Sequence, residues 1–227
     1  FLYGRSRCDA CGHVLSARDL VPVFSWLYLR GKCRYCGAKI PIRCPLTELL
    51  CAAAFVGVVL RFDVTYVTAE YLILTALLLA VALTDLQTGL IPDRLLLAVG
   101  LNFVVFAGLA GGDVWQTILQ GLLGGAAASV PLLLLVLAMD RLLKRESMGG
   151  GDIKLFFAVG LYFPLRDVLF LLIVSCVLGL LFALLARGRA DDPENPGAFP
   201  FGPAIAAGAY LSLLAAEPAV TAYLNLF

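Results

Sequence analysis

The chain has 227 residues, 61% of them hydrophobic and only 15% charged, with a mean hydropathy of +0.94. A water-soluble domain of this length needs far more polar surface, so the composition excludes one and indicates a membrane protein. Seventeen Lys and Arg stand against 16 Asp and Glu with a single His, a balance that gives no sign of a nucleic-acid partner.

Residues 1–45 hold two C-x-x-C pairs, Cys8/Cys11 and Cys33/Cys36, separated by 21 residues. That spacing suits a four-thiolate zinc site in which each pair forms a tight knuckle, and zinc binding would fold a loop with little core of its own. Gly12 and Gly37 each follow the second cysteine of a pair, where the turn around a metal calls for positive φ. Four thiolates already close a tetrahedron, so His13 reads as a surface residue. The chain has seven cysteines, too few for a disulfide-stapled secreted scaffold. Cys44, Cys51 and Cys176 have no partner spacing and read as small apolar packing residues. No cleavable signal peptide is visible and the first residue is Phe1 rather than Met, which leaves room for an upstream helix.

Residues 46–227 form the second expected domain, a polytopic bundle of transmembrane helices. Six apolar runs, residues 46–62, 66–84, 93–110, 115–143, 167–186 and 199–216, come near the roughly 20 residues that span a bilayer. A seventh, residues 153–163, is only 11 residues long and carries Lys154, yet it is counted as a crossing with its glycine-rich start embedded in protein. Residues 187–197 read as a solvated loop, and no internal repeat is apparent. With seven crossings, 15 of the 17 Lys and Arg fall on one side, and only Arg61 and Arg166 on the other. By the positive-inside rule the cysteine loop faces the cytosol. Leaving out the short crossing gives 14 to 3, so the charge count favours seven only weakly.

Acids within or at the end of a membrane helix cost several kcal/mol, roughly 2.5 to 3.5, and are functional candidates by default. Asp85 follows 14 uncharged residues, and Asp152 sits in Met148-Gly149-Gly150-Gly151-Asp152-Ile153-Lys154, just before the short run. Both belong to the expected cytoplasmic face. Gly149, Gly150 and Gly151 remove side-chain bulk that would keep an extended substrate away from Asp152. Two carboxylates brought together hold one proton between them, the device by which an aspartic protease activates water and protonates the leaving amide. No Ser/His or Cys/His constellation competes. Asp93 is read as a helix N-cap after Pro92. Lys154 either steadies a carboxylate or snorkels to the interface. Glu48, close behind the cysteine loop, is a candidate for binding a substrate amine or basic leader, or is an acid favoured by the helix dipole; Glu70 is read as only the latter. Asp152 is expected at a helix N-terminus and Asp85 at a C-terminus, which would make Asp152 the base and Asp85 the protonated partner.

In order along the chain, Cys8-x-x-Cys11, Gly31-Lys32-Cys33-x-x-Cys36, Arg43-Cys44-Pro45-Leu46-Thr47-Glu48-Leu49-Leu50, Asp85-Leu86 with Ile91-Pro92-Asp93, and Gly149-Gly150-Gly151-Asp152-Ile153-Lys154 resemble the type IV prepilin peptidases. The resemblance covers nearly the whole chain. It implies a multi-pass aspartic endopeptidase of the bacterial inner membrane, with catalytic aspartates at Asp85 and Asp152. Its expected partners are prepilins or type II secretion pseudopilins, whose basic leader it removes at the cytoplasmic face, and membrane lipid. Members with the four cysteines often also methylate the new amine from S-adenosylmethionine, which the resemblance therefore implies as a cofactor. Two departures are the absent first helix and Cys44, which stands where the family often has an aromatic residue.

Two other classes remain at this level. An ion or proton transporter would use the aspartates as a relay, but a relay calls for acids at mid-membrane depth. A membrane methyltransferase alone would show a cofactor motif, and no G-x-G-x-x-G after a strand is present.

Overall fold

The computed structural model describes residues 5–144, 148–186 and 200–225. Among these residues it is all-helical: a 3-10 turn at Ala17–Leu20 and eight α-helices, with isolated bridges in place of strands. The helices are α1 (Phe24–Tyr28), α2 (Arg43–Phe62), α3 (Tyr66–Thr88), α4 (Asp93–Leu109), α5 (Val114–Leu143), α6 (Gly150–Gly160), α7 (Leu165–Ala186) and α8 (Gly202–Leu224). The expected solvated loop at 187–197 lies outside the described residues, as do Arg145, Arg187 and Arg189 of the charge count.

The chain divides into two compact units, residues 1–57 and 58–227. The division falls inside α2, because the first turns of that helix are tied to the cysteine loop. Glu48 Oε2 accepts the backbone N–H of Val23 at 2.8 Å.

Within the cysteine loop, two ten-residue knuckles share one hydrogen-bond pattern. Cys8 N–H donates to His13 O, Gly12 N–H to Cys8 O and Leu15 N–H to Ser6 O; Cys33 N–H donates to Ala38 O, Gly37 N–H to Cys33 O and Ile40 N–H to Gly31 O. Gly12 and Gly37 take φ of 68° and 71°, as the turn requires. The Cys-x-x-Cys-Gly pattern shared by the two knuckles is therefore matched in the backbone.

In the second unit, local signals set the helix ends. Thr65 Oγ1 accepts the N–H of Thr68 at the start of α3, and Gly89 closes that helix at φ 65°. Asp113 Oδ1 accepts the N–H groups of Trp115 and Gln116 to start α5, and Pro203 opens α8. Pro92, and not Asp93, is the N-cap of α4, so Asp93 lies in the first turn. Glu70 lies one turn inside α3, half-buried, beyond the helix start where it was expected.

Five helices, α2, α3, α5, α7 and α8, are long and apolar enough to cross a membrane. α4, with 17 residues, is at the lower limit of spanning length. α6 has 11 residues and rises only about 16 Å, short of a bilayer core of about 30 Å. Protein covers most of it instead, leaving Lys154 and Phe157 exposed. Leu155, Phe156 and Val159 are fully buried, and α6 packs on α4, α5 and α8. Past its end, Tyr162 donates its hydroxyl to Val99 O at 2.7 Å and accepts from Asn102 Nδ2 at 2.9 Å; that amide also donates to Glu70 O at 3.2 Å. Between the levels of Asp85 and Glu70, α6 and its following turn thus traverse about 22 Å of α3.

The core is built from stripes at helical spacing. Leu74, Leu78, Val81 and Asp85 line one face of α3; Asp152, Leu155, Phe156 and Val159 line one face of α6; and Gly202, Ile205 and Ala209 line one face of α8. Asp85 is the last position of its stripe, and Asp152, half-buried, is the first of its own. Cys51 is half-buried, while Cys44 and Cys176 are exposed, so the last two do not pack as read from sequence; an exposed thiol on a lipid-facing helix is compatible with its apolar character.

Candidate active site and metal centre

The last turn of α3 and the first turns of α4, α6 and α8 meet at one end of the second unit. Asp85 is 4% exposed, and its Oδ2 accepts the backbone N–H of Gly202 at 2.8 Å. A Cβ on Gly202 would lie 2.6 Å from that oxygen, so only glycine lets the α8 backbone come this close. Asp152, half-buried in the first turn of α6, feels the charge of Asp85. The two acids, 67 positions apart in sequence, are therefore within electrostatic range of each other.

The expected placements hold, Asp152 in the first turn of α6 and Asp85 in the last turn of α3, but a second helix end acts on Asp85. Asp152 sits at the N-terminus of α6, and Asp85, although it ends α3, takes an N–H from the N-terminus of α8. Both carboxylates face the positive ends of helices.

The glycine run is not uniform. A Cβ at Gly150 would meet nothing within 4 Å, whereas one at Gly151 would lie 3.3 Å from Ile91 Cβ and one at Gly149 would lie 3.4 Å from Asp152 Oδ2. Gly150 leaves the open approach, and Gly151 lets Ile91 close over the start of α6. Lys154 pairs with Asp93 at 2.8 Å, both largely exposed at 61% and 68%. The carboxylate that Lys154 meets is that of Asp93, in a pair exposed at the rim. Glu48 binds the Val23 N–H in the first unit.

Sequence reasoning missed Gly202. The Gly202-Pro203 step marks a helix start, but nothing in it names a partner 117 residues away.

In the first unit the sulfurs of Cys8, Cys11, Cys33 and Cys36 all lie within 4.8 Å of one another, with Cys8 Sγ 3.9 Å from Cys36 Sγ. Sulfurs at the corners of a zinc tetrahedron with 2.3 Å bonds are about 3.8 Å apart, so the donor set fits that ion in type, number and spacing. Crowding perturbs the thiols. Backbone N–H groups of Cys11 and Ala10 pull Cys8 down to about 7. Cys36 is pushed up to about 11, the thiolate-favouring Ala38 N–H being outweighed by desolvation and by the neighbouring thiols. A dication would relieve this competition by taking all four as thiolates. His13 stays outside the sulfur cluster and stacks on Tyr35 at 3.7 Å.

Asp19 was also missed. Its carboxylate accepts from Ser16 N at 3.0 Å, Ser16 Oγ at 2.7 Å, Arg34 Nε at 2.6 Å and Tyr35 Oη at 3.1 Å. The Ser16 hydroxyl first, then the Arg34 guanidinium, hold it well below the usual carboxylate range. Ser16-x-x-Asp19 has the pattern of a capping box and was open to reading as one.

Residues 1–62 match the bacterial peptidase A24 N-terminal domain, and residues 72–184 match the type IV leader peptidase family. A prepilin leader peptidase/N-methyltransferase of Bacillus subtilis (strain 168) is 33% identical over 225 residues, covering 98% of this chain and 86% of that one. A protein of the same description from Aeromonas salmonicida (strain A449) is 34% identical over 97% of this chain and 75% of its own length. Another, from Burkholderia pseudomallei (strain 1026b), is 36% identical over 94% and 68%. No solved structure matches the chain.

Proposed function

Because the chain belongs to the prepilin leader peptidase/N-methyltransferase family, we propose that it is a membrane aspartic endopeptidase that removes the basic leader of type IV prepilins or type II secretion pseudopilins, with Asp85 and Asp152 as the catalytic pair. The observation that carries this reading is the meeting of these two acids at the ends of the buried stripes of α3 and α6.

In the proposed reaction one carboxylate of the pair is ionised and takes a proton from a water molecule, whose oxygen attacks the scissile carbonyl carbon. The protonated partner gives its proton to the leaving amide nitrogen, and the C–N bond breaks to yield a leader carboxylate and a new amine. The Gly202 N–H fixes one oxygen of Asp85, holding that carboxylate in place through the reaction. Gly149, Gly150 and Gly151 leave the substrate backbone its approach, and Lys154 with Asp93 forms the charged rim. Glu48 we assign to ordering the cysteine loop, since its carboxylate is engaged by Val23.

The active site faces the cytosol in this reading, supported by the 15 to 2 division of Lys and Arg across seven alternating helices. Cys8, Cys11, Cys33 and Cys36 would hold a structural zinc ion that orders their loop and takes no part in the peptidase step. Methyl transfer from S-adenosylmethionine to the new amine rests on the names of the relatives. The described residues contain no strand and no glycine fingerprint of the dinucleotide-binding type, so none is assigned to that cofactor.

The test is cleavage of a purified prepilin by the wild type, Asp85→Asn, Asp152→Asn and Asp93→Asn. Losing either member of the pair should slow cleavage by about 10²- to 10⁴-fold, the range for general acid–base groups, while Asp93→Asn stays within a few-fold. Retained cleavage in Asp85→Asn or Asp152→Asn would overturn the assignment. Labelled S-adenosylmethionine in the same reactions reads the second activity.

A further inference from the structure

The two knuckles have equivalent backbones, yet their tips are held differently. Between Cys8 and Cys11 stand Asp9 and Ala10, both exposed. Between Cys33 and Cys36 stand Arg34 and Tyr35, and both donate to Asp19: Arg34 Nε to Oδ1 at 2.6 Å and Tyr35 Oη to Oδ2 at 3.1 Å. Asp19 is itself fixed by the N–H and hydroxyl of Ser16, and its side chain is only 4% exposed on a loop with little core. Tyr35 carries the connection onward, because its ring lies 3.7 Å from that of His13 in the first knuckle. One carboxylate thus ties together the Ser16 turn, the tip of the second knuckle and, through Tyr35, the flank of the first.

We propose that Asp19 is a positioning residue of the four-cysteine centre, setting the second knuckle, and through the Tyr35–His13 stack the first, in the geometry that a tetrahedral metal ion requires. It touches none of the four sulfurs and acts through the residues between and beside them. The proposal rests on the metal reading given above. Metal sites owe much of their affinity to groups that orient the ligands without binding the ion, and losing one such group typically costs 10- to 100-fold. Here that need is acute, since among the described residues of the loop the contacts that brace the tips are polar and few.

The experiment uses the full chain purified in detergent and loaded with zinc. Metal content is measured first, then the rate of zinc transfer to a chromogenic chelator, for the wild type, Asp19→Asn, Tyr35→Phe and Asp9→Asn. Asp19→Asn should release zinc about 10- to 100-fold faster than the wild type. With cobalt at saturation it should keep the absorption bands of a tetrahedral four-thiolate site, showing that the ligand set survives. Tyr35→Phe, which keeps the ring on His13 and loses one hydrogen bond, should also release faster. Asp9→Asn removes the same charge from the other knuckle and should match the wild type. Release from Asp19→Asn within twofold of the wild type, or equal acceleration by Asp9→Asn, would overturn the proposal. If Asp19→Asn does not fold, Tyr35→Phe decides it, and release at the wild-type rate overturns it. A wild type without bound metal fails the metal reading instead, and the first measurement separates that result from the others.

Discussion

Asp85 shows how much one backbone contact can determine. Its position in the last turn of α3 would leave it facing carbonyl groups, but Gly202 supplies an N–H at 2.8 Å from the start of α8. A methyl group at Gly202 would sit 2.6 Å from Asp85 Oδ2 and 3.1 Å from its Cβ, so Gly202→Ala must push the carboxylate or the helix aside. Misplacing a catalytic group by about 1 Å can cost around 10²-fold, and that is the expected loss in prepilin cleavage for Gly202→Ala, with helical content unchanged. Gly108→Ala, where a Cβ meets nothing within 4 Å, is the control and should cleave normally. The Asp93–Lys154 pair is a contrasting case. With both side chains more than half exposed, it marks the rim and contributes little to stability.

At the scale of elements, α6 is the unusual piece, too short to cross a bilayer alone and yet running between the levels of Asp85 and Glu70. Small residues on α5 make that possible. Gly121, Gly124, Gly125 and Ala128 form a face against which α6 and its following turn pack backbone to backbone. A Cβ at Gly124 would lie 2.5 Å from Gly160 O, and one at Gly125 would lie 2.8 Å from Phe157 O. Close approach of this kind is how membrane helices associate where lipid offers no hydrophobic driving force between them. Gly124→Val should therefore cost about 1–3 kcal/mol through overpacking, read as a lower unfolding midpoint in detergent. It should also lower cleavage, because α6 carries Asp152. A Gly124→Val protein as stable as the wild type would show that α6 is held by something other than this face.

For the whole molecule, the alternation of α2 to α8 places Arg61 and Arg94 at opposite ends of the second unit. Combined with the charge count, this predicts their reaction with reagents applied from one side of the membrane. In a background with the native cysteines replaced by serine outside the four-cysteine loop, Arg61→Cys should react with an impermeant maleimide added to intact spheroplasts. Arg94→Cys should react only after permeabilisation. The reverse pattern would invert the topology and place the aspartate pair on the outer face.

Much was open to reading in the residues themselves. The C-x-x-C pairs picked out the four cysteines whose sulfurs the fold gathers, since residue type and spacing are local, and Gly12 and Gly37 took the positive φ their positions demanded. Asp85 and Asp152 stood out because charge is costly next to apolar runs, and the length of each run gave the helices to within about four residues, except that α8 continues to Leu224, well past the expected end at residue 216. Which face of each helix is buried was set by the packing and not by any local pattern. In a helix apolar all round, lipid and protein core make the same demand on a side chain, so the sequence of α3 or α8 does not mark its packed stripe. For the same reason Gly202 as the partner of Asp85, Tyr162 as the tie to Asn102 and Val99, and Asp19 as the clamp of the second knuckle came from coordinates alone. Each is a contact between segments far apart in the chain, made through a backbone group or side chain whose local pattern names no partner.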